Sequence, residues 1–334
     1  MKRKIIKHWG LFITLQLITL SLFAQGPNNT GTYYQSANGL KGKALKTAMF
    51  KIIRNHSQLS YDGLWTAFST TDKREDGKVW DMYSDKTNYV FGSSAQGANY
   101  RKEGDSYNRE HSFPKSWFND AKPMYTDLVH LVPTDGYVNN RRSNYPFGEN
   151  NGEKYKSNKG FSKLGKCTYP GYSGIVFEPN DMYKGDFARI YFYMATAYED
   201  KIANWSGSEF PKIASHDSYK PYKDWQMNML IEWAKKDPVS QKEIDRNRGI
   251  QQQQNNRNPF VDYPGLEEYI WGSMQNVAFS YDNYQGVSSI PFIEFETEPI
   301  YPKGWYNLNG QKVGDECPTQ KGIYIHHGKK MVIE

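Results

Sequence analysis

The sequence predicts an α+β domain with several helices, followed by a small β module at its C-terminal end. Three observations lead there. Apolar residues recur at three-and-four spacing in separated segments, which is the mark of helices with one buried face. Short aromatic and β-branched runs bounded by polar turns stand between those segments and read as strands. From residue 301 onward the pattern changes to short strands around tight turns.

The 334-residue chain is long enough to bury a substantial core. Its beginning is set apart. MKRKIIKHWG is basic, LFITLQLITLSLFA is almost wholly apolar, and Phe23-Ala24-Gln25 offers a small-residue cleavage site. This is the order of a secretory signal peptide over 1–25, so export to the periplasm, cell surface or medium is expected. The apolar run is short for a membrane span, so no stable membrane insertion is expected once it is removed. Loss of Lys2, Arg3, Lys4 and Lys7 lowers the formal net charge from +6 to +2. A charge that small does not establish a nucleic-acid partner and leaves any attraction to local patches. The two cysteines, Cys167 and Cys317, could form one disulfide in an oxidising compartment or remain free thiols.

After a polar lead-in over 26–40, KALKTAMFKIIRNH predicts a helix over 41–55, with 61–70 extending it or forming a second one. KVWDMYS (78–84) and NYVFG (88–92) predict a β-pair, and the Gly-, Ser- and Asn-rich stretch 93–109 a loop. DLVHLVP (127–133) reads as a buried strand. Thr134 then caps a short helix through DGYVNNRRS. Residues 148–174 read as a long excursion. Helices are expected over 185–200, 221–237 and 266–274. The polar segment 239–258, with its run of glutamines, is also read as helix, because Ser240 and Glu243 have the spacing of a capping box. The main domain therefore runs over 26–274, a linker over 275–300, and the β tail over 301–334. In that tail Asn309-Gly310 and His327-Gly328 fall where tight turns would join strands.

One segment carries chemistry. NREHSFPKSWF places Glu110 and His111 side by side. Hydrolysis of a phosphodiester needs a cation to screen the phosphate, a base to activate water, and stabilisation of the leaving oxygen. A carboxylate is a suitable hard ligand for Mg²⁺. A neutral histidine, with a reference pKa near 6.5, suits proton abstraction at neutral pH. Neighbours on a regular strand face opposite sides, however, so both serve one site only where the backbone is irregular. Pro114 makes a bend plausible.

Four blocks then occur in order: NREHSFPKSW, TDLVHLVPTDGYVNNRRSNYPFGE, FEPNDMYKGDFARIYFYMATAY and QNNRNPFVDYP. Together they resemble the bacterial endonuclease I family over roughly 100–272, with weaker likeness back to about 41. The resemblance implies a ββα-metal site of the His-Me finger type. It implies His111 as general base on water, Glu110 as a ligand of a divalent cation (Mg²⁺, with Mn²⁺ or Ca²⁺ as alternatives), and Asn139, which follows the Val, as the second protein ligand, with the adjacent Asn140 as the alternative. It implies hydrolysis of DNA, and of RNA too, with little sequence specificity and 5′-phosphate products. One departure stands out: where relatives carry two histidines or His-Asn, this strand reads Val129-His130. His130 is then read as a buried residue that holds the motif loop.

The family also implies an arginine that stabilises phosphate charge. Arg109, Arg141, Arg142 and Arg189 are the candidates. Arg142 is preferred because it lies three residues beyond Asn139, on the same helical face. Its alternative is a salt bridge to Asp127 or another acid, and Arg189 is expected to pair internally with an acid such as Asp186. Arg109, Arg141 and Lys115 are taken as substrate-binding. Lys154, Lys156, Lys159, Lys163 and Lys166 either line a phosphate groove or are solvated. Asn258 and Asp262 read as a structural clasp. Most of the 26 tyrosines are expected in the core. The tail is similar to short C-terminal sorting modules, a plain packing hairpin being the alternative. Two rival functions remain open at the level of sequence: a surface protein that binds nucleic acid or glycan without cleaving it, and a phosphodiesterase of narrower range.

Overall fold

The computed structural model describes residues 25–286, 304–307, 311–326 and 329–333. They fall into two units that divide between 287 and 288. The leader expected over 1–25 lies outside the described residues except for Gln25. Among the described residues, no helix is long and apolar enough to cross a membrane.

Spacing by four gives α1 (Gly42–Ile53) its buried stripe of Leu45, Met49 and Ile53. A separate α2 (Gly63–Thr71) follows. The expected β-pair at 78–92 forms only isolated bridges, Lys78 to Val90 and Lys73 to Val79. Asp81 is the reason. Its Oδ1 accepts from Tyr83 N at 2.8 Å, and its Oδ2 accepts from Thr87 Oγ1 at 2.9 Å and from Asp135 N at 3.0 Å. An Asx turn therefore replaces the ladder.

The element that carries Glu110 and His111 is β1 (Tyr107–His111). It pairs antiparallel with β2 (Leu131–Asp135), setting Glu110 opposite Val132 and His111 opposite Leu131. The expected strand starts four residues later than its sequence suggests. The carbonyls of Leu128 and Val129 accept from Arg246 at 2.8 and 3.1 Å, so they are unavailable to a ladder. α3 (Gly136–Arg142) follows β2 directly, and its N-cap is Asp135, not Thr134: Asp135 Oδ1 accepts from Val138 N at 2.9 Å. Gly136 is required at the junction, because a Cβ there would lie 2.5 Å from the Tyr100 ring. The stretch 148–174 is more ordered than expected. β3 (Tyr155–Lys156) and β4 (Lys163–Lys166) lie in it and form a sheet with β5 (Ile175–Glu178), in the order β3-β4-β5.

The core forms around α4 (Lys184–Ala197), buried from Gly185 to its end. It packs against α1, against α5 (Asp224–Lys236) and against the short α7 (Pro259–Asp262). A helix apolar on nearly every side belongs inside. α6 (Gln241–Gln254) bears the expected capping box, with both Ser240–Glu243 contacts made. Although polar, it buries a stripe of Glu243, Arg246, Asn247, Ile250 and Gln254. α7 (Pro259–Asp262) and α8 (Leu266–Ile270) complete the helices, the last being shorter than the expected 266–274. Asn258 caps α7 at Phe260 N (3.1 Å) and reaches Arg189 O (3.1 Å). Asp262 accepts from Arg257 Nε and Tyr34 Oη, both at 2.7 Å, as a clasp would. Residues 275–286, within the stretch expected to be a linker, lie on this unit: Phe279 N bonds Leu40 O at 2.9 Å, and Phe279 and Tyr281 are buried.

The second unit holds β6 (Trp305–Tyr306), β7 (Lys312–Gly314), β8 (Gly322–His326) and β9 (Lys329–Ile333) in one antiparallel sheet of order β7-β6-β8-β9. The expected turns at Asn309-Gly310 and His327-Gly328 lie outside the described residues. Cys167 and Cys317 are both free thiols.

Candidate active site

Side chains alternate along β1, and the site is built on that alternation. Asn108 and Glu110 face α3. Arg109 and His111 face the segment before α2. No irregularity intervenes, since the register holds through His111. The two candidate residues therefore leave the strand on opposite faces.

On the α3 side, Glu110 is 3% exposed. Its Oε1 accepts from Tyr83 Oη at 2.8 Å and from Arg142 Nη1 at 2.9 Å. Burial raises the Glu110 pKa above the usual glutamate value, and Arg142, Tyr83 and Asn139 pull against that rise by favouring the charged form. Asn139 thus stands at the Glu110 carboxylate, and its Nδ2 also donates to Asn108 Oδ1 at 2.7 Å. Arg142, the arginine expected to face phosphate, lies beneath Glu110 at 1% exposure. Its Nη1 also donates to His111 O at 3.1 Å and its Nη2 to Ser112 O at 2.7 Å. Both the salt bridge and the shared helical face weighed from sequence are therefore present.

On the other face, His111 Nε2 lies 3.0 Å from Tyr125 O. A carbonyl can only accept, so Nε2 carries the proton and Nδ1 the lone pair. Burial lowers the His111 pKa well below its usual value, and the nearby His130, Lys115 and Arg109 lower it further. The ring is accordingly neutral at neutral pH. Two half-buried phenols flank it, Tyr125 at 5.3 Å and Tyr61 at 6.2 Å between centroids. Arg109 lies 3.5 Å over the Tyr61 ring and 4.5 Å over Trp65, and its Nη1 donates to Tyr61 O at 2.6 Å. Lys115 sits 5.5 Å over Tyr125 and pairs with the exposed Asp120.

The structure thus brings Glu110, Asn139 and Arg142 together on one side of β1, and His111, Arg109 and Lys115 on the other. Arg141 points outward to Tyr137 and Tyr155. Arg189 pairs internally, but with Glu243 at 2.5 and 2.9 Å instead of Asp186, which takes Lys242 at 2.6 Å. The capping box decides this exchange by fixing Glu243 on the inner face of α6. Lys159 and Lys163 are paired with Asp85 and Glu178, while Lys154, Lys156 and Lys166 are exposed. His130 is fully buried and bonds Met124 O at 2.7 Å. Sequence reasoning missed Tyr83, Tyr61 and Tyr125, because nothing in the pattern separates these tyrosines from those of the core.

A buried carboxylate beside an amide, next to a neutral imidazole with a free lone pair, is the equipment of a hydrolytic centre that works by proton transfer and charge screening. The chain belongs to the endonuclease I family, whose model matches residues 41–265. Membership makes it a nuclease, and so a hydrolase. It is 37% identical over 252 residues to an extracellular ribonuclease of Bacillus amyloliquefaciens, covering 73% of this chain and 79% of that one. An extracellular ribonuclease of Bacillus subtilis (strain 168) is 36% identical over 267 residues, covering 77% of this chain and 84% of that one. A periplasmic deoxyribonuclease of Aeromonas hydrophila is 29% identical over 142 residues, or 42% of this chain and 48% of that one.

Proposed function

We propose that this chain is an exported, divalent-metal-dependent endonuclease that hydrolyses internal phosphodiester bonds of RNA and DNA through a His-Me finger (ββα-metal) site. The observation that carries the proposal is His111. Its Nε2 proton is committed to Tyr125 O and its ring is kept neutral, so Nδ1 is a ready base on the residue that follows Glu110.

The donor set fits a hard cation. Among the described residues, no group of three or more His, Cys, Asp or Glu side chains could hold a metal. What β1 and α3 offer is one carboxylate, Glu110, and one amide, Asn139, which suits a cation such as Mg²⁺ that keeps most of its waters. When bound, the cation would screen the scissile phosphate and favour departure of the leaving oxygen. Glu110 and Asn139 would hold it, and Arg142 and Tyr83 fix the carboxylate. Arg142 has no exposed face for a phosphate, so it acts here through Glu110.

Glu110 and His111 leave β1 on opposite faces, and a phosphodiester must span that strand to meet both. His111 Nδ1 takes a proton from water as its oxygen attacks phosphorus. The P–O3′ bond breaks and the departing oxygen takes a proton from solvent water, leaving 5′-phosphate and 3′-hydroxyl ends. Arg109 and Lys115 supply positive charge to the sugar–phosphate backbone, a mode of binding that reads little sequence. Relatives named ribonucleases and deoxyribonucleases support both substrates, and their extracellular and periplasmic names, with the basic-then-apolar leader, support export.

The test is cleavage of supercoiled plasmid, linear DNA and RNA by residues 26–334, with Mg²⁺ and with EDTA, beside Glu110→Ala and His111→Ala. Metal-dependent cleavage that both substitutions remove is expected. Cleavage that persists in EDTA, or at wild-type rate in His111→Ala, would refute the mechanism. DNA or RNA retained without any cleavage would favour the binding-protein alternative.

A further inference from the structure

The turn that leads into β2 receives two imidazoles on neighbouring carbonyls. Residues Met124–Thr126 form a single 3-10 turn. Tyr125 O accepts from His111 Nε2 at 3.0 Å, and Met124 O accepts from His130 Nε2 at 2.7 Å. The two rings lie 5.6 Å apart at 50°. Because carbonyls have no proton to give, both rings must carry theirs on Nε2.

His130 has no access to substrate. It is fully buried, and its Nδ1 has no hydrogen-bond partner. What it does is join two segments. Its side chain holds the turn whose next carbonyl receives His111. Its own carbonyl accepts from Ser112 N at 3.0 Å and from Ser112 Oγ at 2.7 Å, the residue that follows His111. One residue thus links the strand that carries the imidazole to the turn that orients it. The rest of the turn has separate anchors. Arg246 holds the carbonyls of Leu128, Val129 and Leu131, and Gln254 holds Asp127 and Leu128 N. Neither reaches the carbonyl of Met124 or Tyr125. Met124 O does receive Asp127 N at 3.1 Å, but that contact lies within the turn and does not fix it against β1.

We infer that His130 is a positioning residue for His111: through Met124 O it fixes the Met124–Tyr125 carbonyl pair, and so holds His111 as the Nε2–H tautomer with its Nδ1 lone pair directed away from the turn. The inference rests on the reading of His111 as the base. A rotation of the Tyr125 carbonyl would let the ring flip or change tautomer, which moves the lone pair off the attacking water. Displacement of a reacting group by about 1 Å is worth about 100-fold in rate. Binding is untouched, because His130 meets no substrate.

The experiment compares wild type with His130→Leu, which has no donor, His130→Asn, too short to reach Met124 O, and His130→Gln, which places an N–H near the position of Nε2. Two readouts are taken: kcat and KM for cleavage of a short oligonucleotide with Mg²⁺, and the ¹⁵N imidazole spectrum of His111 in metal-free protein. The expected result is a fall in kcat of about 30- to 100-fold for Leu and Asn, with KM within about twofold and Gln restored to within about fivefold of wild type. The spectrum changes from one Nε2–H tautomer to a mixture in the Leu and Asn variants. Should His130→Leu fail to fold, the Asn and Gln pair and the wild-type spectrum decide.

A near-wild-type kcat in the Leu and Asn variants overturns the proposal, and so does an unchanged His111 tautomer in them. A wild-type His111 protonated on Nδ1 overturns it as well. His111→Ala, run alongside, separates this proposal from the reading beneath it. Turnover that survives in His111→Ala overturns the base assignment and the inference together. Turnover lost there but kept in His130→Leu overturns the inference alone.

Discussion

Replacing Arg142 by Met tests whether this arginine acts on substrate or on Glu110. The guanidinium is 1% exposed and donates to Glu110 Oε1, His111 O and Ser112 O at 2.9, 3.1 and 2.7 Å. Met occupies a similar length but offers no donor. Breaking a buried ion pair from one side costs about 3–5 kcal/mol. His111 O, left buried without a partner, costs about 1–3 kcal/mol more, whereas Ser112 O keeps Tyr191 Oη at 3.3 Å. These losses overlap, and Glu110 can relieve part of its own by taking up a proton, so the expected destabilisation is about 4–5 kcal/mol at pH 7.5. That is a large share of a domain stability of about 5–15 kcal/mol. The sign with pH follows from burial, which already raises the Glu110 pKa while Arg142 lowers it. Without Arg142 the folded-state value climbs further, so the variant loses more stability relative to wild type as pH rises. The assay is urea unfolding followed by tryptophan fluorescence at pH 5.5 and 7.5, with plasmid cleavage measured on the same samples. A variant within about 1 kcal/mol of wild type that has nevertheless lost cleavage more than about 100-fold would refute the clamp and return Arg142 to the phosphate.

Three further outcomes are expected. Lys115→Ala should raise KM for RNA and DNA a few-fold with kcat little changed, and should lower the slope of log binding constant against log salt by about 1, as for one lost phosphate contact; an unchanged slope would place Lys115 off the substrate path. Glu267→Gln should stabilise the protein at pH 8 but hardly at pH 4. Burial pushes the Glu267 carboxyl up to about 7, and its Oε2 has no partner. With the folded pKa above the unfolded one, wild type loses stability as pH rises from about 4.5 to 7, by about 3 kcal/mol at most, and the Gln variant does not. Parallel melting curves for the two proteins across that range would count against it. Ser240→Ala removes the N-cap contact of α6, in which Ser240 Oγ accepts from Glu243 N at 3.3 Å, and should cost about 1 kcal/mol by chemical denaturation; no loss would mean that the Glu243–Arg189 pair alone fixes this end of the helix.

The sequence by itself was enough for much of what depends on local spacing, though not for the N-cap of α3 or the end of α8. Helices α1, α4 and α5 follow from three-and-four periodicity. α6 was legible despite its glutamines because a capping box needs only two residues three apart. The motif blocks around Glu110, His111 and Asn139 lie within the matched family region for the same reason, since they are contiguous in the chain. What spacing could not decide is where the polar partners of those residues come from. Tyr83 reaches Glu110 across 27 positions, and Arg246 reaches the carbonyls of Leu128, Val129 and Leu131 across 115 to 118. The failed β-pair at 78–92 and the late start of β2 have that same origin: the carboxylate of Asp81 and the guanidinium of Arg246 claim backbone groups that local pattern assigns to a ladder. Arg189 chose Glu243 over the neighbouring Asp186 because α6 delivers that carboxylate to the inner face of α4. Burial belongs in this class too. It keeps His111 neutral, raises the Glu110 pKa and closes Arg142 off from solvent, and it exists only once β1 is packed between α3 with the 81–89 loop on one face and Tyr61 with the 124–126 turn on the other. Desolvation is a property of the assembled interior, so no residue read along the chain carries it.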